Sequence, residues 1–251
     1  MKPDEIDQAA RIIAAAHRGG VRPECLPAEC APRDASDALL IQAAVTDKLQ
    51  EKVAGWKVGG FKDGVVTYGA IHASRLFQSP TRMISAEFSL RGVEAEIAFR
   101  FDRELASRSR SYDYDEIAES VTALVAIEVV DSRFQSYERA PFLDRVADLM
   151  SNGALVMGTE RQDWRQHDLG RLTVSLAVGG EEILRQVGGH PKGDPLLPVV
   201  DLVNHLTKSN PVRAGAVMTT GSFSGLSIVE PGSAVKVEFV DFGQAEIAFT
   251  R

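Results

Sequence analysis

Long apolar runs are missing from this sequence, and no stretch approaches the ~18 consecutive apolar residues that cross a bilayer as a helix. The densest, 124–130, is short and carries Glu128. Basic blocks are missing too. The 28 Lys and Arg against 35 Asp and Glu leave a formal charge of −7, and without clustered cations nucleic acid is not expected as a partner. Cysteine is scarce, with only Cys25 and Cys30. Two thiols at that spacing cannot make a zinc site alone, and they read as reduced thiols of a cytoplasmic chain. No basic-then-apolar leader opens the sequence, so the expected location is cytoplasmic, with no membrane association. Neither GxGxxG nor a P-loop occurs, which leaves nucleotide cofactors without support.

What is present is the composition of a globular protein, 44% apolar and 25% charged over 251 residues, enough for one large domain with a sizeable core. Ile6, Ala9, Ala10, Ile12, Ile13 and Ala16 recur at helical spacing until Gly19 and Gly20 stop them. A second helix, capped by Ser36 or Asp37, carries Leu39, Leu40, Ala43, Ala44 and Leu49. Residues 1–50 are therefore expected to form an N-terminal helical segment, and 51–251 a strand-rich catalytic domain. Alternation with period two marks strands at 93–101, 172–178 and 235–239, and Gly179 and Gly180 predict a hairpin turn. Short helices are expected near 114–121, 142–150 and 196–208. Many strands with few helices predict an α+β fold with a largely antiparallel or mixed sheet. The pentapeptide AEIAF occurs at 95–99 and 245–249 without any longer period, and reads as coincidence.

Three carboxylates carry the chemistry. Glu94 and Glu96 are two apart on a strand and share a face, opposite the apolar Val93, Ala95, Ile97 and Phe99. Glu128 sits in a run with no other polar residue, and a buried, ionised carboxylate must be neutralised, paired or metal-bound. Arg133 is one available partner for Glu128, although Asp131 is the better match for that arginine. Three glutamates converging from two strands form a hard, oxygen-rich set suited to Mg²⁺ or Mn²⁺.

The segments GWKVG (55–59), GVEAEIAF (92–99), AIEVVDSR (126–133), SNGALVMG (151–158), GGHP (188–191), RAG (213–215) and TTGS (219–222) occur in an order that resembles the fumarylacetoacetate hydrolase superfamily, in its 2-keto-4-pentenoate hydratase branch. The resemblance implies a mixed β-sheet roll of the C-terminal type of that family, preceded by the helical segment. It also implies a divalent metal on Glu94, Glu96 and Glu128, a small 2-keto acid as substrate, and a homo-oligomer. Lys57 matches the active-site lysine. Thr220, Gly221 and Ser222 match a substrate-contacting loop, and Ser151 and Asn152 fall among the small polar groups that line the pocket. Beside a metal, the Lys57 ammonium is expected to be disfavoured and its pKa lowered. His190 is expected to shape a turn.

One departure bears on the reaction. Where the hydratases carry an acid before a Phe-Gly or Tyr-Gly pair, this sequence has Thr67 before Tyr68 and Gly69. A threonine is no general base near neutral pH, and His72, three residues after Gly69, is a possible acid/base acting through a water. The expected activity is that of a metal-dependent hydro-lyase adding water to a 2-hydroxydienoate. The alternatives are a 4-oxalocrotonate-like decarboxylase, an acylpyruvate C–C hydrolase, or a catalytically silent keto-acid binder.

Overall fold

The computed structural model describes residues 1–62 and 64–251. The chain opens with two helices, α1 (Pro3–His17) and α2 (Ala35–Leu49). Asp34, rather than Ser36 or Asp37, caps α2 by accepting the Asp37 N–H at 2.8 Å. Asp37 is one turn further on and turns its carboxylate to Arg33, 2.9 Å away. Strands β1 (Val53–Lys62), β2 (Val65–His72), β3 (Leu76–Gln78), β4 (Thr81–Met83) and β5 (Gly92–Phe101) follow. After α3 (Tyr114–Ala118) come β6 (Val121–Val130), α4 (Phe142–Ala147), β7 (Asn152–Arg161), β8 (Thr173–Val178) and β9 (Glu181–Val187). The chain ends with α5 (Leu196–Leu206), β10 (Val217–Ser222), β11 (Ser227–Ile228), β12 (Ala234–Phe239) and β13 (Gly243–Phe249). Gly179 and Gly180, both at positive φ, make the tight turn between β8 and β9.

The strands form two mixed sheets. The larger has eight strands in the order β2-β1-β10-β5-β6-β7-β3, with β11 on the margin of β5, and the smaller has the order β4-β13-β12-β8-β9. β2 and β3 lie at opposite ends of the large sheet, yet only the turn Ala73–Arg75 joins them. So short a connection between the two ends curls the sheet into a roll. Ile71, Ala98, Leu124, Ala126, Leu155 and Val217 fill its interior. Its outer face, with Val93, Ala95, Ile97, Phe99, Val125 and Ile127, packs on Leu176, Val235, Val237 and Ile247 of the small sheet. All ten residues of β6 are buried, which explains why that segment reads as a continuous apolar run rather than an alternating one.

The helices cover one side of the roll. Ala9, Ile13, Ile41 and Val45 share a core with Phe134, Val146 and Ala147, so residues 1–50 pack on an excursion of the strand-rich part. Gln42 of α2 is buried and fully used. Its amide donates to the Tyr68 and Val146 carbonyls at 2.9 and 2.7 Å and accepts the Ala70 N–H at 2.9 Å. No described helix is long and apolar enough to cross a membrane. Cys25 is exposed and Cys30 buried, and both are free thiols.

Candidate active site

β5 and β6 pair antiparallel without a slip from Gly92↔Val130 to Phe101↔Val121, and this register sets Glu94 directly opposite Glu128. Directly opposed residues share a face, and Glu96 lies two residues along on that face. One carboxylate oxygen from each of the three lies within 4.8 Å of the others. Like charges placed so closely repel, so something must hold them together.

Lys57 is the cation the chain itself provides. It reaches across the interior from β1, its Nζ 2.6 Å from Glu128 Oε1. Burial works against the ammonium, but the charges of Glu128 and Glu94 and the bond to Glu128 outweigh it, and the lysine is held above its ordinary range. Without a metal on the site, three carboxylates face this side chain and favour its charged form; the lowering expected from the sequence applies to the site with a metal bound. Glu128 is fully buried, and its Oε1 also accepts Asn152 Nδ2 at 3.3 Å. Glu96 is buried and accepts the Thr220 and Gly221 N–H groups on Oε2, both at 3.2 Å. Those amides are free to do so because β10 slips its register with β5 between Thr219 and Ser222, with Gly221 at φ +113°. His190 supports the bulge through Nε2, 2.9 Å from the Thr220 carbonyl. Burial pushes both Glu94 and Glu96 up, Glu96 well above the usual carboxylate range.

The donor set fits a hard divalent cation. Three carboxylates face one ammonium, and Glu128 Oε2 is buried with no partner among the described residues. The group is all oxygen and contains no histidine or cysteine, which suits Mg²⁺-like ions and not zinc.

The remaining residues singled out from the sequence divide. Ser151 and Asn152 are buried at the start of β7, and the Ser151 Oγ has no partner among the described residues. Ser222 lies beside Glu94 and opposes its upward shift. Thr220, by contrast, spends its hydroxyl on the Ile97 carbonyl at 2.7 Å and meets the site through its N–H. Thr67 is buried and donates to the Gly60 carbonyl at 3.1 Å. His72 lies three strand residues beyond Gly69, the register partner of Lys57, roughly 10 Å along the strand. Its Nε2 is 3.1 Å from Thr46 Oγ1, and it faces a cavity of about 610 Å³ between roll and helices rather than the carboxylates. Burial pushes its pKa down to about 4.

Two features escaped the sequence reading. Arg133 does not serve Glu128, and its main partner is not Asp131. Its Nε is 2.6 Å from Asp148 Oδ1, with Asp131 at 3.9 Å, while Asp131 Oδ1 accepts the Ser89 and Leu90 N–H groups at 2.8 and 2.9 Å. Asp148, also 3.2 Å from His17 Nε2, leads into the turn Leu149–Ser151. All three residues of that turn have positive φ, 52°, 54° and 58°, with no glycine among them. Left-handed backbone costs a non-glycine residue roughly 1–2 kcal/mol. The turn seats on Gly69, where a Cβ would stand 2.2 Å from the Leu149 carbonyl oxygen. This turn leads directly into Asn152, whose Nδ2 reaches Glu128.

Comparison with known proteins identifies the family. The fumarylacetoacetate (FAA) hydrolase C-terminal family matches residues 74–250. A 2-keto-4-pentenoate hydratase from Burkholderia vietnamiensis is 30% identical over 88% of both chains, and one from Paraburkholderia xenovorans 27% identical over 99% of this chain and 96% of that one. The fold matches that of 4-oxalocrotonate decarboxylase from Pseudomonas putida G7, solved with magnesium and adipate, at a TM-score of 0.84 and 19% identity over 99% and 98% of the two chains. The match over residues 74–250, with a relative 30% identical over 88% of both chains, places this chain in the fumarylacetoacetate hydrolase C-terminal family.

Proposed function

We propose that the protein is a divalent-metal-dependent hydratase that adds water to a small 2-hydroxydienoate, the enol of a 2-keto-enoic acid. The observation that carries this reading is the Glu94, Glu96 and Glu128 cluster with Lys57 on it, inside the roll of a chain 30% identical to a named hydratase. Glu94, Glu96 and Glu128 would hold Mg²⁺ or Mn²⁺, which when bound supplies positive charge to the 2-oxygen and carboxylate of the substrate.

The chain's own residues do the rest. Asn152 and the Thr220 and Gly221 amides orient two of the carboxylates. Burial within the roll excludes bulk water and strengthens every charge interaction there. Lys57, an ammonium on Glu128, is the proton carrier. Hydration takes the proton from the 2-hydroxyl, which becomes the keto oxygen, and places one at the diene terminus; water then gives its hydroxyl to C4 and its proton to C3, so the product is substrate plus one water. Ser151 and Ser222 line the substrate's place.

A second reading has a specific observation behind it. Thr67 stands where the hydratases carry an acid, and its hydroxyl is committed to Gly60. Decarboxylation of a 4-oxalocrotonate-like acid uses the same enolate chemistry and needs no group to place water. Incubating the Mg²⁺-loaded protein with 2-hydroxypenta-2,4-dienoate and with 4-oxalocrotonate, while following dienol absorbance and CO₂, separates the two. The hydratase reading predicts loss of dienol, one hydrated keto acid and no CO₂. CO₂ from 4-oxalocrotonate, with the dienoate untouched, would replace it with the decarboxylase.

A further inference from the structure

Among the described residues six threonines are buried: Thr46, Thr67, Thr122, Thr207, Thr219 and Thr220. Five of them give their hydroxyl a partner. Thr46 meets His72, Thr67 the Gly60 carbonyl, Thr122 the Asp102 carboxylate, Thr207 the Val203 carbonyl and Thr220 the Ile97 carbonyl. Thr219 is the exception. It is 1% exposed, and its Oγ1 has no partner among the described residues. A buried hydroxyl without a partner is normally selected against, since valine has nearly the same shape and leaves nothing unsatisfied.

The register says where this hydroxyl sits. Thr219 pairs with Lys57 of β1 on one side and with Ala98 of β5 on the other. Val217, two residues earlier, and Ala98 both belong to the interior of the roll, so Thr219 shares the interior face with Lys57 and Glu96. Apart from the Ser151 hydroxyl, which also lacks a partner among the described residues, the other donors at the site are largely committed. Lys57 is on Glu128, Asn152 on Glu128, and the Thr220 and Gly221 amides are on Glu96. An incoming carboxylate needs donors, and the surroundings are rich in negative charge.

We infer that Thr219 is a substrate-positioning residue whose Oγ–H donates to a carboxylate oxygen of the 2-keto acid bound at the three glutamates. The inference rests on the keto-acid reading above and adds a specificity residue to it. The role belongs to Thr219 rather than to Thr220, because the bulge after Thr219 turns the Thr220 hydroxyl to the Ile97 carbonyl.

Calorimetric titration of oxalate, a planar mimic of the 2-keto acid enolate, into Mg²⁺-loaded wild type, Thr219→Val and Thr219→Ser tests this. Thermal melting of the three proteins without metal accompanies it. Thr219→Val is expected to melt at or above wild type and to bind oxalate about ten- to a hundredfold more weakly, the range for a lost hydrogen bond to a charged group. Thr219→Ser, which keeps the hydroxyl, is expected to stay within about threefold of wild type by the same reasoning. Equal oxalate affinity in wild type and Thr219→Val would overturn the inference while leaving the metal site standing. If wild type takes up neither Mg²⁺ nor oxalate, the keto-acid reading itself fails and the inference falls with it.

Discussion

Glu96 carries the largest burden among the three glutamates. It is 1% exposed and has two backbone N–H groups on one oxygen, while the lysine of the site sits on Glu128 instead. Burial drives its pKa well up, so in the metal-free protein at neutral pH its charge opposes folding. Glu96→Gln keeps an oxygen for both amides and removes that charge. The expected outcome is a metal-free melting temperature higher by about 2–4 °C for each ~1 kcal/mol relieved, together with divalent affinity lower by about tenfold or more, since an anionic ligand is lost. Scanning calorimetry and Mn²⁺ titration of the same preparation check both halves. The three glutamates were legible in the sequence because a strand alternates with period two and because Glu128 interrupts an apolar run. Thr219 was not. Its face depends on where β10 slips against β5, and a bulge leaves no mark in the spacing of Thr219, Thr220, Gly221 and Ser222.

Among the elements, the turn Leu149–Ser151 links the helices to the site. Asp148 before it binds Arg133 and His17, Asn152 after it binds Glu128, and β1 and β2 give it a flat seat at two glycines. The two are not equivalent. A Cβ on Gly69 would press on the Leu149 backbone at 2.2 Å, whereas one on Gly59 would meet side chains only, the Met150 tip at 2.5 Å and the Thr67 hydroxyl at 2.7 Å. Gly69→Ala is expected to displace the turn, cost about 1–3 kcal/mol of stability and abolish most activity. Gly59→Ala, to which the flexible methionine and the threonine side chain yield more easily than a backbone does, is expected to cost less on both counts. Urea melts and turnover of the pair measure this difference. No sequence signal marked the turn, because its left-handed residues are leucine, methionine and serine rather than glycine. Strands and hairpins were easier to see, since pattern and turn chemistry agree there. Even so, AEIAF lies in β5 buried on both faces and again in β13, where Glu246 and Ala248 are half-exposed. Five residues do not say how many layers will cover them.

At the scale of the whole molecule, the roll, the small sheet and the helical cover bury four of the five histidines enough to hold them below their ordinary range. His72 is pushed to about 4, whereas in the unfolded chain it takes its proton near the usual ~6.5. Between those values the unfolded state binds more protons, so this histidine makes stability rise with pH and fall on acidification through that window. Comparing wild type with His72→Gln isolates the contribution from those of Glu94 and Glu96, which run the other way. The stability of wild type relative to the variant is expected to drop steadily from about pH 6.5 to about pH 4 and to level off below, as chemical denaturation at several pH values will show. The α+β class and the roll were readable from strand count and motif order. The closing of the roll through Ala73–Arg75, and the sharing of the helical core with residues 134–147, depend on contacts distant in sequence and were not. All of these layers serve to hold three carboxylates around one small volume, and titration of Mg²⁺ into wild type and Glu128→Ala tests that most directly. One bound ion per chain in wild type and none in the variant is the predicted result, and equal binding by the two proteins would contradict it.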